Sequence, residues 1–330
     1  MKFLIAGLGS IGRRHFRNLL ALGERDILLY RTQRSSLPDD ELAGFPVETD
    51  LEAALAHKPQ AVIISNPTSL HLETAIPAAE AGCSILLEKP VSHTLEGLER
   101  LELALQRGGG KMLVGFQFRF HPTLRQAAKL IQSGSLGKPL SVHAHWGEYL
   151  PDWHPWEDFR QGYSARTDLG GGVVLTLSHP LDYLRFVIGE VGAVWAFTSS
   201  QGFGLPVEDT AEIGLRFSSG VIGSLHLDYN QRPSAHYLEI TGAQGSLRWD
   251  NHDGSLDVYD ADKNTRETFM PPAGFERNQL FMDEMSHFLS VLRCESDPLC
   301  SWQDGKQALR LALAALQSAG QGRLMELENV

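Results

Sequence analysis

The tripeptide Glu88-Lys89-Pro90 ends a short apolar run at residues 84–87. A lysine placed there can act as an acid/base group, because burial and a neighbouring cation both lower an amine's pKa toward the working range. Taking a hydride from a carbinol carbon requires such a group, since a proton must leave the hydroxyl as well. Taken alone, the tripeptide also fits a surface Glu–Lys pair before a turn proline. The second chemical cluster is Gly7-Leu8-Gly9-Ser10-Ile11-Gly12, which has the G-x-G-x-x-G spacing. It follows an apolar strand pattern and opens a helical one, the context in which these glycines cradle a pyrophosphate. Gly7 permits the tight turn, Gly9 lets phosphates approach the backbone, and Gly12 lets helix and strand pack closely. The helix start at Ser10 and Ile11 then offers free N–H groups and a positive dipole end.

The end of the second apolar run selects between the two nicotinamide dinucleotides. An NAD enzyme places a carboxylate about 20 residues past the glycines to bind the ribose hydroxyls. Arg31 occupies that place, and Tyr30-Arg31-Thr32-Gln33-Arg34-Ser35 contains no acid. Arg31 and Arg34 suit a 2′-phosphate, which a carboxylate would repel. NADP(H) is therefore expected to be favoured over NAD(H), the alternative being an ordinary solvated basic loop.

These groups need a scaffold, and the chain divides into two rhythms. Up to residue 118, apolar runs at 3–6, 27–30, 61–65, 84–87 and 112–116 alternate with helical patterns at 11–22, 70–81 and 95–106. That alternation predicts a parallel sheet covered by helices on both faces, a Rossmann domain over residues 1–118. After two more helical stretches, at 123–132 and 181–188, strand patterns follow one another at 140–145, 193–199, 210–217, 221–228, 237–241 and 246–249. Successive strands without intervening helices predict an open, mainly antiparallel sheet. Residues 119–330 are read as one α/β substrate-binding and oligomerisation domain, ending in a helix at about 303–318.

Composition excludes some functions. Twenty-nine basic against 40 acidic residues leave a formal charge of −11, opposite to a nucleic-acid-binding footprint. Cys83, Cys294 and Cys300 lack the number and spacing of a disulfide framework or zinc site. His121 and His143 have no metal-ligand spacing, so no metal is expected. No apolar run reaches membrane-spanning length, and a cytoplasmic location is expected.

Gly7-x-Gly9-x-x-Gly12, Asn66-Pro67-Thr68 with His71, Glu88-Lys89-Pro90, and Gly170-Gly171-Gly172 followed by His179-x-x-Asp182 stand in the order found in the Gfo/Idh/MocA oxidoreductases. The chain resembles that family over nearly its whole length. The resemblance implies a Rossmann domain followed by an open-sheet domain that commonly mediates dimers or tetramers. It implies that Lys89 is the catalytic lysine and His179 the active-site histidine. Asn66, Pro67, His71 and Glu88 would line the nicotinamide ribose, and Gln117 would lie near the nicotinamide. Many members carry an aspartate three or four residues before the histidine, where this chain has Thr176 and Leu175. Asp182 or Asp168 takes over that task, or the relay is reduced to Lys89 and His179. Asp182 reads equally as a first-turn carboxylate complementing the helix dipole.

The segment His145-Trp146-Gly147-Glu148-Tyr149-Leu150-Pro151-Asp152-Trp153-His154-Pro155-Trp156-Glu157 offers flat apolar faces, carboxylates, imidazoles and indole N–H donors, as a carbohydrate site needs. Tyr149, Trp153, Tyr163, Arg166 and Thr176 are the expected substrate contacts, although tryptophans also bury themselves in loop cores. Arg166 could pair with a substrate carboxylate or phosphate. The leading expectation is an NAD(P)-dependent oxidoreductase acting on a sugar, inositol, sugar acid or sugar nucleotide. A nicotinamide-dependent glycoside hydrolase of the same family and a non-catalytic dinucleotide-binding regulator are the alternatives.

Overall fold

In the computed structural model, residues 1–31 and 40–327 are described. The chain begins β1 (Phe3–Ala6), α1 (Ser10–Ala21), β2 (Ile27–Tyr30), β3 (Val47–Glu48) and α2 (Leu51–Ala56). It continues β4 (Ala61–Ile64), α3 (His71–Glu80), β5 (Ser84–Glu88), α4 (Leu98–Gly108) and β6 (Met112–Gly115). Next come α5 (Pro122–Gln132), β7 (Pro139–Tyr149), α6 (Val173–Thr176), α7 (His179–Ile188), β8 (Val191–Ser199) and β9 (Thr210–Phe217). After β10 (Ile222–Asp228), β11 (Asn230–Gly242), β12 (Gly245–Asp250), β13 (Leu256–Asp260) and β14 (Thr265–Phe269), it closes with α8 (Arg277–Leu292), α9 (Trp302–Gln321) and β15 (Met325–Glu326).

Two compact units result: Met1–Gln117 with Glu276–Lys306, and Phe118–Phe275 with Gln307–Val330. In the first, six parallel strands take the order β3-β2-β1-β4-β5-β6. Strands covered on both faces must be apolar throughout, and β1, β4 and β6 are buried at every position. The strand order reverses between β1 and β4, which is where a doubly wound sheet opens its ligand crevice.

The return of Glu276–Lys306 to this unit departs from the division at 118/119. Its cause is the apolar stripe of α8, where Leu280, Phe281, Met285, Phe288 and Leu289 are buried. Against α1, Arg14 Nη1 donates to Asn278 Oδ1 (3.2 Å) and Asn278 Nδ2 to Asn18 Oδ1 (3.2 Å). At the start of α9, Gly305 lies so close to Val91 and Val114 that a Cβ would sit 2.6 and 2.8 Å from their methyl groups.

The second unit is built on nine strands in the order β14-β13-β12-β11-β7-β10-β9-β8-β15. Pairing is antiparallel except between β7 and β10, which run parallel. The sheet is thus mainly antiparallel, as expected, and its one parallel pair arises because a long connection, carrying α6, α7, β8 and β9, separates the two strands. Alternation sends Val142, Ala144, Trp146, Leu225, Leu227, Leu238 and Ile240 into the core. The other face of the same strands carries His143, His145, Ser224, His226, Asp228, Tyr237 and Glu239.

Candidate active site

In the first unit the glycine turn is fixed by backbone crowding. Gly7 has φ +91°, and a Cβ there would lie 2.4 Å from the Asn66 nitrogen. At Gly12 a Cβ would lie 2.0 Å from the Gly7 carbonyl oxygen, which also accepts from Ser65 Oγ at 2.9 Å. Gly9, by contrast, faces open space. The start of α1 has no side-chain cap and no acid in its first turn, so its N–H groups are offered to an anion. Arg13 anchors the turn from behind, with Nε donating to the Leu8 carbonyl at 3.0 Å and Nη1 to Glu41 Oε1 at 3.0 Å. Neither Arg13 nor Glu41 stood out in the sequence, because no motif marks them.

Lys89 follows β5 and is held through its neighbours. His71 Nδ1 lies 2.8 Å from the Pro90 carbonyl and its Nε2 lies 3.0 Å from that of Asn66. Burial drives the His71 pKa down to about 4, so the ring is neutral and one nitrogen donates at a time. It thereby ties the segment after β4 to the one carrying Lys89. Asn66 Nδ2 donates to the Leu70 carbonyl (3.2 Å) and Thr74 Oγ1 (3.1 Å).

Glu88 is held by neighbouring groups of the same unit. Its side chain is buried, with Oε1 2.8 Å from His15 Nε2 and Oε2 accepting from the Lys89 N–H at 3.3 Å. Burial pushes its carboxyl up, but the His15 hydrogen bond, the His15 charge and that of Lys89 outweigh burial and hold it below the usual range. Glu284 of α8 belongs to the same cluster. Burial, then the Glu88 charge, push its carboxyl well up, and neither oxygen has a partner among the described residues. Glu88 thus joins β5 to α1 and faces Glu284 of α8. Sequence reasoning passed over Glu284, though an acid interrupting the apolar stripe of α8 was a usable signal.

The residues present fit a dinucleotide: an uncapped helix start, an open Gly9, and two buried oxygens, Asn66 Oδ1 and Gln117 Oε1, without partners among the described residues. Arg31 is partly buried at the end of β2, its N–H donating to the Glu48 carbonyl at 3.1 Å. Arg34 lies outside the described residues.

In the second unit, His179 begins α7 and is buried, with Phe118 edge-on at 5.1 Å and Trp146 at 5.6 Å. Asp182 is fully occupied by a residue the sequence did not single out. Arg119 Nε donates to its Oδ2 at 2.9 Å and Nη2 to its Oδ1 at 2.7 Å, with both side chains buried. Such a bidentate pair is a stronger tie than a first-turn dipole contact. Asp168 is exposed and paired with Arg166 (3.0 Å), an arrangement that occupies the guanidinium expected to meet a substrate anion.

Thr176 is buried, and the hydroxyl of buried Tyr229, whose pKa is pushed up by burial first, donates to the Ser164 carbonyl at 3.4 Å. Trp153 packs edge-on against Tyr229 at 5.7 Å. Tyr149 carries Arg232 over its ring at 4.0 Å and faces Phe203 at 5.7 Å, while Tyr163 is exposed. The acid that the sequence could not rank is Glu208. Its Oε1 accepts from the Val174 N–H at 3.1 Å, and burial raises its pKa. Gly172, at φ +109°, makes room for it, since a Cβ there would lie 2.4 Å from Glu208 Oε1.

Comparison with known proteins accounts for both halves. Residues 1–116 match the oxidoreductase family with an NAD-binding Rossmann fold, and residues 124–248 match the GFO/IDH/MocA C-terminal domain. The chain belongs to the Gfo/Idh/MocA oxidoreductases. Among curated relatives, it is 28% identical to a 1,5-anhydro-D-fructose reductase of Ensifer adhaerens, over 82% of this chain and 80% of that one. It is 27% identical to a myo-inositol 2-dehydrogenase of Thermotoga maritima, over 100% and 99% of the two chains. In fold it is similar to a levoglucosan dehydrogenase solved with NADH and levoglucosan, at TM-score 0.88 and 22% identity over 100% of both chains. Among the described residues no helix is long and apolar enough to cross a membrane.

Proposed function

We propose that this oxidoreductase transfers a hydride between a nicotinamide dinucleotide and a carbinol or carbonyl carbon of a sugar-like alcohol, with Lys89 exchanging the hydroxyl proton. The observation that carries the reading is the setting of Lys89: it follows β5 at the carboxyl edge of the parallel sheet, in a segment pinned by His71 and by the Glu88 carboxylate. When bound, the nicotinamide supplies the two-electron acceptor or donor. On oxidation, the neutral amine of Lys89 takes the O–H proton as the C–H pair leaves, and on reduction the ammonium returns it. His179 holds and orients the reacting hydroxyl. Ser10 and Ile11 offer N–H groups to the pyrophosphate, and Asn66, Pro67, His71 and Gln117 form the nicotinamide-ribose wall. Tyr149, Trp153, Tyr163, Arg166 and Thr176 contribute to the substrate side. NADP(H) is the preferred cofactor, because Arg31 and Arg34 suit a 2′-phosphate and no acid stands between residues 30 and 35. The open sheet of the second unit mediates self-association.

The names of the relatives supply the first panel: myo-inositol, 1,5-anhydro-D-fructose and levoglucosan, with a wider set of sugars and sugar acids. A net change in reduced-nicotinamide absorbance with one of these compounds supports the reading. A product formed with no net change in the cofactor would overturn it in favour of glycoside cleavage.

A further inference from the structure

Three strands of the second unit bring together four groups that no sequence motif joins. His226 on β10 is registered against His145 on β7 and against Glu212 on β9. Asp228, two residues further along β10, is registered against Gly147. All four side chains stand on the polar face of the sheet. One nitrogen of each of His145 and His226 and one Asp228 oxygen lie within 4.8 Å of one another.

The partners of His226 pose a proton-counting problem. Its Nδ1 lies 2.6 Å from Glu212 Oε1 and its Nε2 lies 2.9 Å from Asp228 Oδ2. A neutral imidazole has one N–H and can satisfy one carboxylate, so the other contact needs a second proton or a cation. Without a cation, a second ring proton fills the gap. His145 stacks on His226 at 4.6 Å and on Tyr237 at 5.1 Å. His145 Nε2 lies 2.6 Å from Gln231 Oε1, an acceptor, so in a neutral ring that nitrogen carries the N–H and the other keeps its electron pair.

The surroundings are arranged as for an ion. Glu212 behind Nδ1 directs the Nε2 electron pair inward, the usual outer-layer partner of a metal-bound histidine. Asp228 Oδ1 is steadied by the Asn230 N–H at 2.7 Å, leaving Oδ2 for the centre. Gly147 keeps the space open: a Cβ there would lie 2.3 Å from Asp228 Oδ2 and 2.0 Å from Gln231 Oε1. In the single chain the His226 side chain is 21% exposed and that of Asp228 8%. The other trio of such groups among the described residues, His15, Glu88 and Glu284, is buried throughout.

We propose that His145, His226 and Asp228, with Glu212 behind His226, bind a divalent transition-metal ion on the polar face of the nine-stranded sheet. Two imidazoles and a carboxylate suit zinc, cobalt or nickel rather than calcium or magnesium. Two ligand atoms at zinc bond lengths stand about 3.3 Å apart in a tetrahedron, so His226 and Asp228 need separate only slightly from their present contact. Water can complete the set. The site is independent of the dinucleotide and of the alcohol chemistry.

The test is calorimetric titration of zinc into untagged, metal-stripped full-length protein, with cobalt absorbance as a second readout. The exposed thiol Cys294 is removed as Cys294→Ser, so that it cannot compete. One ion per chain should bind, and affinity should fall as the pH drops from about 8 to about 6, because the metal must displace the His226 proton. Glu212, Asp228, His145, His143 and Tyr237 are the titratable groups facing that ring from β9, β10, β7 and β11. His226→Gln and Asp228→Asn should each weaken binding by about 10-fold or more, and His143→Gln should not. Asp228→Asn keeps the side-chain shape and the Oδ1 acceptor, so it reads the metal even if His226→Gln fails to fold. Absence of saturable binding, or binding that survives Asp228→Asn unchanged, would leave a proton as the only occupant and overturn the proposal.

Discussion

Glycine serves two different ends in the two units. At Gly7 and Gly12 the missing Cβ would strike backbone, the Asn66 nitrogen and the Gly7 carbonyl, which cannot move without breaking the turn. At Gly147 and Gly172 it would strike side chains: Asp228 Oδ2 with the amide oxygen and Cβ of Gln231 in one case, the Glu208 carboxylate in the other. The first pair is crowded by backbone, from Asn66 at Gly7 and from Gly7 itself at Gly12. The second pair makes room for side chains. Unyielding backbone crowding is therefore found at the cofactor turn, and side-chain accommodation in the sheet domain.

That contrast is broken most directly at Gly12. Gly12→Ala forces a 2.0 Å contact with the Gly7 oxygen, so dinucleotide binding by fluorescence titration should be lost and melting temperature should fall steeply. Near-normal binding would end the distinction. Lys89→Met comes next: turnover should fall by about 10²–10⁴-fold while dinucleotide affinity changes little, because His71 and Glu88 hold the segment. Retained turnover would remove Lys89 from the proton step.

Acid stability probes both units at once. His71 in the first unit and His121 in the second have folded pKa values of about 4, lowered by burial from 6.5. Below pH 6.5 the unfolded chain takes protons that the folded chain refuses. Stability should therefore decline as pH falls from 6.5 to about 4 and stop falling from this cause below that, each site contributing up to about 3 kcal/mol. Urea titrations on His71→Gln and His121→Gln should show a flatter acid limb, and an unchanged limb would count against buried neutral imidazoles. The smallest effect is expected at Gly147→Ala, where side chains can swing aside at a cost of roughly 1 kcal/mol. A loss as large as that of Gly12→Ala, by the same urea titration, would make the two kinds of glycine one.

The parallel sheet was legible because its strands are buried on both faces and read as unbroken apolar runs, as at residues 61–64. The short β3 and α2 carried too little pattern to register. The apolar stripe of α8 was present in the sequence, but nothing there says that it packs on α1. The same limit applied at the site. Asp182 remained ambiguous until Arg119, 63 residues away, took both of its oxygens. Glu208 could not be separated from other acids until burial raised its pKa.

What the sequence determined by itself was everything governed by local geometry: the glycine turn, the helix it opens, the strand that leads to Lys89 and the alternation of the second sheet. Those features depend on φ, on hydrophobic period and on residues a few positions apart. Only the tertiary structure decided which charges meet. It set Glu88 against His15 and Glu284, Asp182 against Arg119, and His226 between Glu212 and Asp228. The physical reason is that electrostatic pairing and burial act through space, and strand order brings together residues that the chain keeps apart.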